Sequence, residues 1–365
     1  MGSILFLGFS WPLNNIRKEL HVFSDVFLLV KKDYVEEVPN KKIMTGALNG
    51  MLTVLDPYSQ FLSQDSYKEL EEDTHGEFGG IGVDISMKEG FLRVIAPLDG
   101  SPAERAGVKA GDSVIKIDDA ATREMTLNDA AKKLKGAPGS IVRLSLVHEH
   151  ENKLSEISIT REVIKIKSVK EAKLLEDRIG YIRFSAFQEN SQKDLEEALK
   201  KLQSEGMQGL ILDIRNNAGG LLTAAIEVSE LFIPEGKLIV STKGRNPQKN
   251  NEYVSKSKKV FSVKPLVILV NKGSASSSEI LAGAIQDYRL GTIVGTKTYG
   301  KGSIQSLVPL DDGSAIRMTT SRYYTPSGRV IHEKGIVPDV IVEAGEKDKE
   351  DLQLKRAVEE ILSKR

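Results

Sequence analysis

The stretch LVILVNKGSASSSEILAGAIQDY, residues Leu266–Tyr288, decides how the rest of the chain is read. It opens on Leu266–Val270, a short apolar run rich in β-branched residues, as expected of a buried strand. Asn271-Lys272-Gly273 breaks that run. Four serines fill the five positions from Ser274 to Ser278, and Ile280, Leu281, Ala284 and Ile285 then recur at helical spacing. A serine cluster on a tight turn between a buried strand and a helix start exposes a hydroxyl at the sheet edge. It also aims backbone N–H groups at whatever approaches. The same residues fit a helix cap: Ser276-Ser277-Ser278-Glu279 is S-x-x-E, in which the serine caps and the glutamate reaches back. A nucleophilic serine needs a base, and the bases lie elsewhere in the chain.

The strand–turn–helix pattern occurs twice. Gly209–Ile214 (GLILDI) is a buried strand that runs into Arg215-Asn216-Asn217-Ala218-Gly219-Gly220 and then a helix over Leu221–Phe232. With a strand at Arg178–Phe184, an amphipathic helix at Gln192–Gln203 and a strand at Gly291–Gly295, the alternation predicts an α/β core with parallel strands over residues 163–342. Ser241–Ser262 is polar and lysine-rich and reads as a surface excursion. Thr296–Gly302 (TKTYGKG) is a glycine-bounded turn. Ser303–Leu310 and Ser314–Tyr323 alternate as strands around Asp312-Gly313, a two-residue hairpin signal. Residues 343–365 form a C-terminal section with helical periodicity over Lys347–Lys364.

Upstream, residues 1–74 read as a helical segment, with helices over Ile16–Tyr34, Lys41–Leu55 and Ser63–Asp73. Residues 75–162 change character: five or six strands and two helical patches, Ala103–Ala106 and Leu127–Lys135, make a compact β-rich domain. Its markers are Gly79-Gly80-Ile81-Gly82 and the run SPAERAGVKAGD from Ser101. These resemble a PDZ domain. The resemblance implies that Gly79, Gly80, Ile81 and Gly82 present backbone N–H groups to a peptide's terminal carboxylate. The peptide then lies beside the strand carrying Val83 and Ile85. Those two apolar residues suggest an apolar tail, and Lys135, at the end of the second helix, is placed to sense it.

Composition excludes several classes. Formal net charge is zero, with 51 basic and 51 acidic residues, against a nucleic-acid partner. There is no cysteine, so disulfides, thiolate metal sites and thiol catalysis are excluded. No metal and no cofactor are expected. His148 and His150 lie two apart on one strand face, with no cysteine in the chain to join them, and read as an exposed polar face. Met1–Leu13 is apolar but too short to span a bilayer, and it lacks the basic region and cleavage site of a complete signal. It reads either as the remnant of a signal or anchor or as a segment that packs on a partner subunit.

Two residues compete to be the base for the serine. His332 is the histidine of the core section, and Asp213 or Asp287 would nominally complete a triad, but neither spacing nor context supports that assembly. Lys301 sits between Gly300 and Gly302 at the start of a strand. A lysine base must be neutral near pH 7, so burial has to lower its pKa from about 10.4 by several units. Gln305, four residues on, can hold the amine by a hydrogen bond without adding the negative charge that would raise its pKa.

Taken together, Gly273-Ser274-Ala275-Ser276, Ser278-Glu279-Ile280-Leu281-Ala282-Gly283-Ala284, Gly300-Lys301-Gly302 and Gln305 closely resemble the carboxyl-terminal processing peptidases. Leu55-Asp56-Pro57-Tyr58-Ser59, Phe78-Gly79-Gly80-Ile81-Gly82, the Asp213–Gly220 loop, Tyr323–Arg329 and Lys334–Asp339 extend the likeness over almost the whole chain, in the family's order. The resemblance implies an α/β multidomain protein with a helical N-terminal segment, an inserted PDZ domain and an α/β core bearing a Ser-Lys site. It implies a serine endopeptidase that captures protein C-termini and cleaves near them. Ser276 would be the nucleophile, Lys301 the base and Gln305 its orienting residue. Backbone N–H groups of Gly219, Gly220 and Ser277 would form the oxyanion hole. His332 stands where relatives commonly carry glutamine or another polar residue, and Ser277 replaces a common alanine. Expected partners are proteins with accessible C-termini, with a possible homodimer and envelope association through the N-terminus, in a bacterial periplasm. The alternative is a catalytically inactive PDZ scaffold on a peptidase-like core.

Overall fold

The computed structural model describes residues 13–88, 91–98, 100–148, 154–165, 167–258, 260–261, 264–343 and 350–365. The chain divides into two compact units. One contains the residues up to Asp65 together with Gln305–Thr319; the other contains Ser66–Ile304 and Thr320–Arg365.

The smaller unit contains α1 (Leu13–Asp33), α2 (Asn40–Thr53) and β1 (Gln60–Leu62). Leu20, Phe23 and Val26, the apolar stripe expected on the first helix, are exposed. The Asp56 carboxylate organises the turn before β1, accepting from Tyr58 N, Ser59 N and Ser59 Oγ at 2.8, 2.8 and 2.9 Å. Then β1 pairs antiparallel with Ala315–Arg317.

The larger unit begins with α3 (Gln64–His75), of which Ser66 onward belongs here. The PDZ-like domain follows: β2 (Glu77–Gly80), β3 (Val83–Lys88), β4 (Phe91–Pro97), α4 (Pro102–Arg105), β5 (Ser113–Ile117), β6 (Ala120–Ala121), α5 (Leu127–Leu134), β7 (Ile141–Val147), β8 (Leu154–Thr160) and β9 (Glu162–Lys165). Strands β3-β4-β5-β7-β8 form one sheet, and β2 pairs with β9. Leu92, Val114, Ile117, Leu144 and Leu146 from the sheet close on Ala103, Ala130 and Leu134 from the helices. Thr126 and Asp129 form the capping box that starts α5.

The elements that follow are β10 (Val169–Leu174), β11 (Ile179–Phe184), α6 (Ser191–Ser204), β12 (Gly209–Asp213), α7 (Leu222–Glu230), β13 (Leu238–Gly244), β14 (Asn251–Val254), β15 (Leu266–Val270), α8 (Ser277–Asp287), β16 (Thr292–Gly295), β17 (Ser303–Pro309), β18 (Ala315–Tyr324), β19 (Val340–Ile341) and α9 (Leu352–Leu362), and of these the span Gln305–Thr319 belongs to the smaller unit. The central sheet has the order β10-β11-β12-β15-β16-β19. From β11 to β19 its neighbours are parallel, and β10 is antiparallel to β11. Alternation along β12 and β15 divides the side chains between two faces. Ile211, Val267 and Leu269 pack with Ala357 and Ile361 of α9, while Leu210, Leu212, Ile268 and Val270 pack with α6, α7 and α8. Each such buried aliphatic side chain stabilises the fold by about 1.5–3 kcal/mol.

The register places the functional loops. Asp213 pairs with Leu269 and Val270 with Gly295, so the turns that follow β12, β15 and β16 leave the same carboxyl edge of the sheet.

Two local expectations change. The segment Ser241–Ser262, read as a polar surface excursion, contains β14 and the second half of β13, which pair as a hairpin. Thr242 and Ser255 are buried within it, and the apolar residues that anchor the hairpin, Ile239 and Val240, lie just before it. The turn between β17 and β18 is a three-residue loop, Asp311-Asp312-Gly313, because Leu310 N donates to Ser314 O at 2.8 Å. Gly313, at φ +80°, occupies the left-handed position such a loop requires.

Candidate active site

The turn after β15 is built by its serines. Ser274 Oγ donates to Ile214 O at 2.9 Å, Ser277 Oγ to Gly220 O at 3.0 Å and Ser278 Oγ to Asn217 O at 2.8 Å. Three of the four hydroxyls therefore stitch this turn to the loop after β12, and those three residues are 0 % exposed. Ser276 differs. It is 7 % exposed and sits at φ +54°, ψ −113°, a conformation that L side chains rarely adopt. Its side chain lies against the phenol of Tyr323, whose pKa burial pushes well up.

Ser276 is also the N-cap of α8, as the S-x-x-E pattern predicts. Glu279 Oε2 accepts the Ser276 N–H at 2.8 Å. The same oxygen accepts the Lys301 N–H at 2.9 Å, while Oε1 accepts from Gly300 N at 2.7 Å and Thr298 Oγ1 at 2.5 Å. Glu279 is 0 % exposed, and burial drives its pKa up against the pull of these four donors. A glutamate that reads locally as a cap is thus the junction between the serine turn and the lysine turn. No spacing rule signals that wider role.

Lys301 is half-buried between two glycines, one without room for a side chain and one in a backbone conformation that disfavours it. A Cβ on Gly302 would lie 2.1 Å from His332 N, and Gly300 is at φ +93°. Gln305 lies on β17, where its Nε2 donates to Thr319 Oγ1 at 3.2 Å.

The glycines after β12 press on the serine turn. A Cβ on Gly219 (φ +99°) would meet Ala275 O at 2.8 Å, Ser276 Cβ at 2.9 Å and Ser277 N at 2.9 Å. Gly220 is as tight, 2.0 Å from Phe187 O. The Gly219 N–H is already donated to Asn217 Oδ1 at 2.9 Å. The Ser277 N–H lies in the first turn of α8, where amides have no intrahelical acceptor.

Among the described residues no carboxylate hydrogen-bonds His332 as a triad requires. Its Nε2 is 3.9 Å from Glu333, and its Nδ1 is buried without a hydrogen-bond partner among the described residues. Asp213 is fully buried and held by Arg183 at 2.6 Å, Arg215 at 2.7 Å and the Tyr181 hydroxyl at 2.9 Å. Burial and this carboxylate push the Tyr181 phenol up to about 12. Arg215 continues to Asp351, the N-cap of α9, at 2.7 Å. Asp287 is held by Ser327 N at 2.8 Å and by Arg329.

In the PDZ-like domain a cavity of about 80 Å³ is lined by Phe78, Ile81, Gly82, Val83, Ile85, Ala131, Leu134 and Lys135. Five of the residues expected to bind a peptide, Ile81, Gly82, Val83, Ile85 and Lys135, meet there. Gly79 and Gly80 do not line it: they lie in β2, opposite Val163 and Glu162 of β9. Phe78, Ala131 and Leu134 were not expected, although the amphipathic pattern of α5 carries the last two. Lys135 Nζ stands 4.8 Å from the centre of the Phe78 ring. His148 has a partner the sequence did not suggest: Nδ1 lies 2.8 Å from Asp112 Oδ1, across 36 positions. His150 lies outside the described residues. Among the described residues no group of three or more His, Cys, Asp or Glu could hold a metal ion.

Comparison with known proteins defines the class first. Residues 178–342 match the model of peptidase family S41, residues 93–147 that of a PDZ domain, and residues 11–66 that of the activating protease CtpB N-terminal domain. The carboxy-terminal-processing protease of Bartonella bacilliformis is 41% identical over 348 residues, 93% of this chain and 80% of that protein. The carboxyl-terminal-processing protease of Synechocystis is 36% identical over 94% of this chain and 85% of its own. Among solved structures, a photosystem II D1 C-terminal processing protease is 29% identical with a TM-score of 0.51, covering 94% of this chain and 96% of the other. The chain belongs to the carboxyl-terminal processing proteases, PDZ-bearing serine peptidases of family S41.

Proposed function

We propose that this peptidase cleaves with a Ser-Lys dyad and selects its substrates by capturing their C-termini. The observation that carries the dyad is the singularity of Ser276. It alone among the four serines is held in a strained conformation at the helix start, while the other three hydroxyls bind main-chain carbonyls.

In the proposed reaction, neutral Lys301 Nζ takes the proton of the Ser276 hydroxyl as Oγ attacks the scissile carbonyl carbon. The oxyanion is received by N–H groups at Ser277 and in the Gly219-Gly220 turn, where Gly219 exchanges its Asn217 acceptor. Each such donor supplies roughly 3 kcal/mol in related chemistry. The lysine proton passes to the leaving amine as the C–N bond breaks. Lys301 then deprotonates a water that hydrolyses the acyl ester and returns the proton to Ser276. Gln305 is assigned the task of orienting the amine by family resemblance. The small apolar cavity beside Lys135 receives the substrate's terminal side chain, with the carboxylate at the Ile81-Gly82 turn. Residence in the bacterial envelope, attachment there through the N-terminus, and a homodimer rest on the family likeness. Among the described residues no helix is long and apolar enough to cross a membrane.

The test is mass spectrometry of an unfolded substrate with a free apolar C-terminus, incubated with the parent, Ser276→Ala, Lys301→Ala, Gln305→Ala and His332→Ala. Cleavage should vanish in the first two variants, fall in the third and persist in the last. Turnover that survives Lys301→Ala refutes the dyad. A parent that binds the substrate without cutting it is instead a scaffold.

A further inference from the structure

We propose that Thr298 is a positioning residue for the cleavage reaction, locking the Glu279 carboxylate that holds the Ser276 and Lys301 main chains together. This rests on the Ser-Lys reading above.

Thr298 is 4 % exposed and its hydroxyl has one possible orientation. Oγ1 accepts the Ile336 N–H at 2.7 Å, so its own proton is directed to Glu279 Oε1, 2.5 Å away. The Thr298 main chain is pinned as well, its N–H donating to Ile336 O at 3.1 Å. Thr298 therefore joins three segments: the start of α8, the glycine turn that carries Lys301, and the turn at Ile331–Ile336. That last turn braces the lysine, because Glu333 N donates to Gly300 O at 2.8 Å and His332 N lies 2.1 Å from where a Cβ on Gly302 would be.

The carboxylate distributes its two oxygens by function. Oε2 bridges Ser276 N and Lys301 N, and Oε1 is held by Thr298 and Gly300. A carboxylate anchored at both oxygens cannot rotate about its own bond. Without the Thr298 hydroxyl, Oε1 keeps one donor, which belongs to the same glycine turn as Lys301. Tyr299 N still ties that turn to the serine turn through Ser274 O at 3.0 Å, and Oε2 still bridges Ser276 N and Lys301 N, so what is lost is the side-chain clamp that fixes the carboxylate's orientation and, with it, the fine register of Lys301 against Ser276. Binding of substrate in the PDZ-like domain involves none of these atoms, so the consequence falls on the chemical step.

The experiment compares Thr298→Val, which keeps shape and deletes the hydroxyl, with Thr298→Ser, which keeps the hydroxyl and deletes the methyl. Hydrolysis of a C-terminal peptide and labelling by a fluorophosphonate are followed in parallel, with thermal unfolding as the control. A displacement of about 1 Å at a reacting centre costs up to about 100-fold in rate. Thr298→Val should lower kcat and the labelling rate about 10- to 100-fold, with KM within about 2-fold of the parent. Thr298→Ser should recover most of that loss. If Thr298→Val does not fold, Thr298→Cys, whose thiol is a weak donor of similar size, replaces it with the same expectation. A valine or cysteine variant with parental kcat overturns the proposal, as does an equal loss in valine and serine variants or a loss confined to KM. Lys301→Ala in the same assay separates the two ideas: turnover there removes the Ser-Lys reading itself, whatever Thr298 does.

Discussion

Replacing Ser276 with glycine should make the protein more stable while abolishing hydrolysis. At φ +54°, ψ −113° the backbone adopts the first central position of a type II′ turn, where glycine is strongly favoured. A non-glycine residue held in such a region costs about 1–3 kcal/mol, and Ser276→Gly releases it. Against this stand the extra conformational freedom of glycine in the unfolded chain, about 0.5–1 kcal/mol, and a few tenths for the lost cap hydroxyl. The balance favours glycine by about 1 kcal/mol. With a urea dependence of about 2–3 kcal/mol per molar, the unfolding midpoint followed by far-ultraviolet circular dichroism should rise by about 0.3–0.5 M. Ser276→Ala is the control, because it removes the hydroxyl and retains the strain. An ordinary helix N-cap gives the opposite sign: glycine there loses a few tenths of a kcal/mol relative to serine. A midpoint at or below the parent's would refute the view that this turn stores strain at Ser276.

Two further outcomes follow from the geometry. Lys135→Ala removes the ammonium beside Phe78 and the apolar cavity, and should raise KM about 3- to 10-fold for peptides with a free terminal carboxylate. C-terminally amidated peptides should be indifferent to the change, and a loss in kcat instead of KM would count against carboxylate sensing. For Asp287, burial alone would raise the pKa, but hydrogen bonds from Thr325 and Ser327 and the charge of Arg329 outweigh it and hold the carboxyl below its usual value. A depressed folded pKa contributes stability that is complete above the unfolded value of about 3.9 and disappears as pH falls through the folded one. The stability gap between the parent and Asp287→Asn, measured by urea unfolding, should therefore narrow below about pH 4. A gap that is independent of pH in that range would exclude this account.

The regular elements were legible because their signals are local. The apolar runs Gly209–Ile214 and Leu266–Val270 and the 3.6-residue patterns of α5, α6 and α8 announce the strands and helices to within a few positions. The hairpin β13–β14 escaped because its buried apolar residues, Ile239 and Val240, precede Ser241, and the stretch after them is dominated by lysines and asparagines. Strand β13 also pairs with β18, some eighty positions on, which no window contains. Gly79 and Gly80 looked like loop residues because glycine suits a loop. In the fold they are strand residues, since a Cβ on Gly79 would lie 2.1 Å from Gly136 O.

Leu266–Tyr288 by itself determined a buried strand, a tight turn and a capped helix, because hydrophobic periodicity and the S-x-x-E pattern act over neighbouring residues. Resemblance singled out Ser276 and Lys301 through motif order. Only the tertiary structure decided how four similar serines differ. Their distinction depends on carbonyls of Ile214, Asn217 and Gly220, delivered by a parallel strand some sixty positions earlier. Only the tertiary structure turned Glu279 from a helix cap into the junction of Ser276, Thr298, Gly300 and Lys301. A carboxylate has two oxygens, each able to accept more than one hydrogen bond, and sequence spacing can assign only the partner that lies on the same helix.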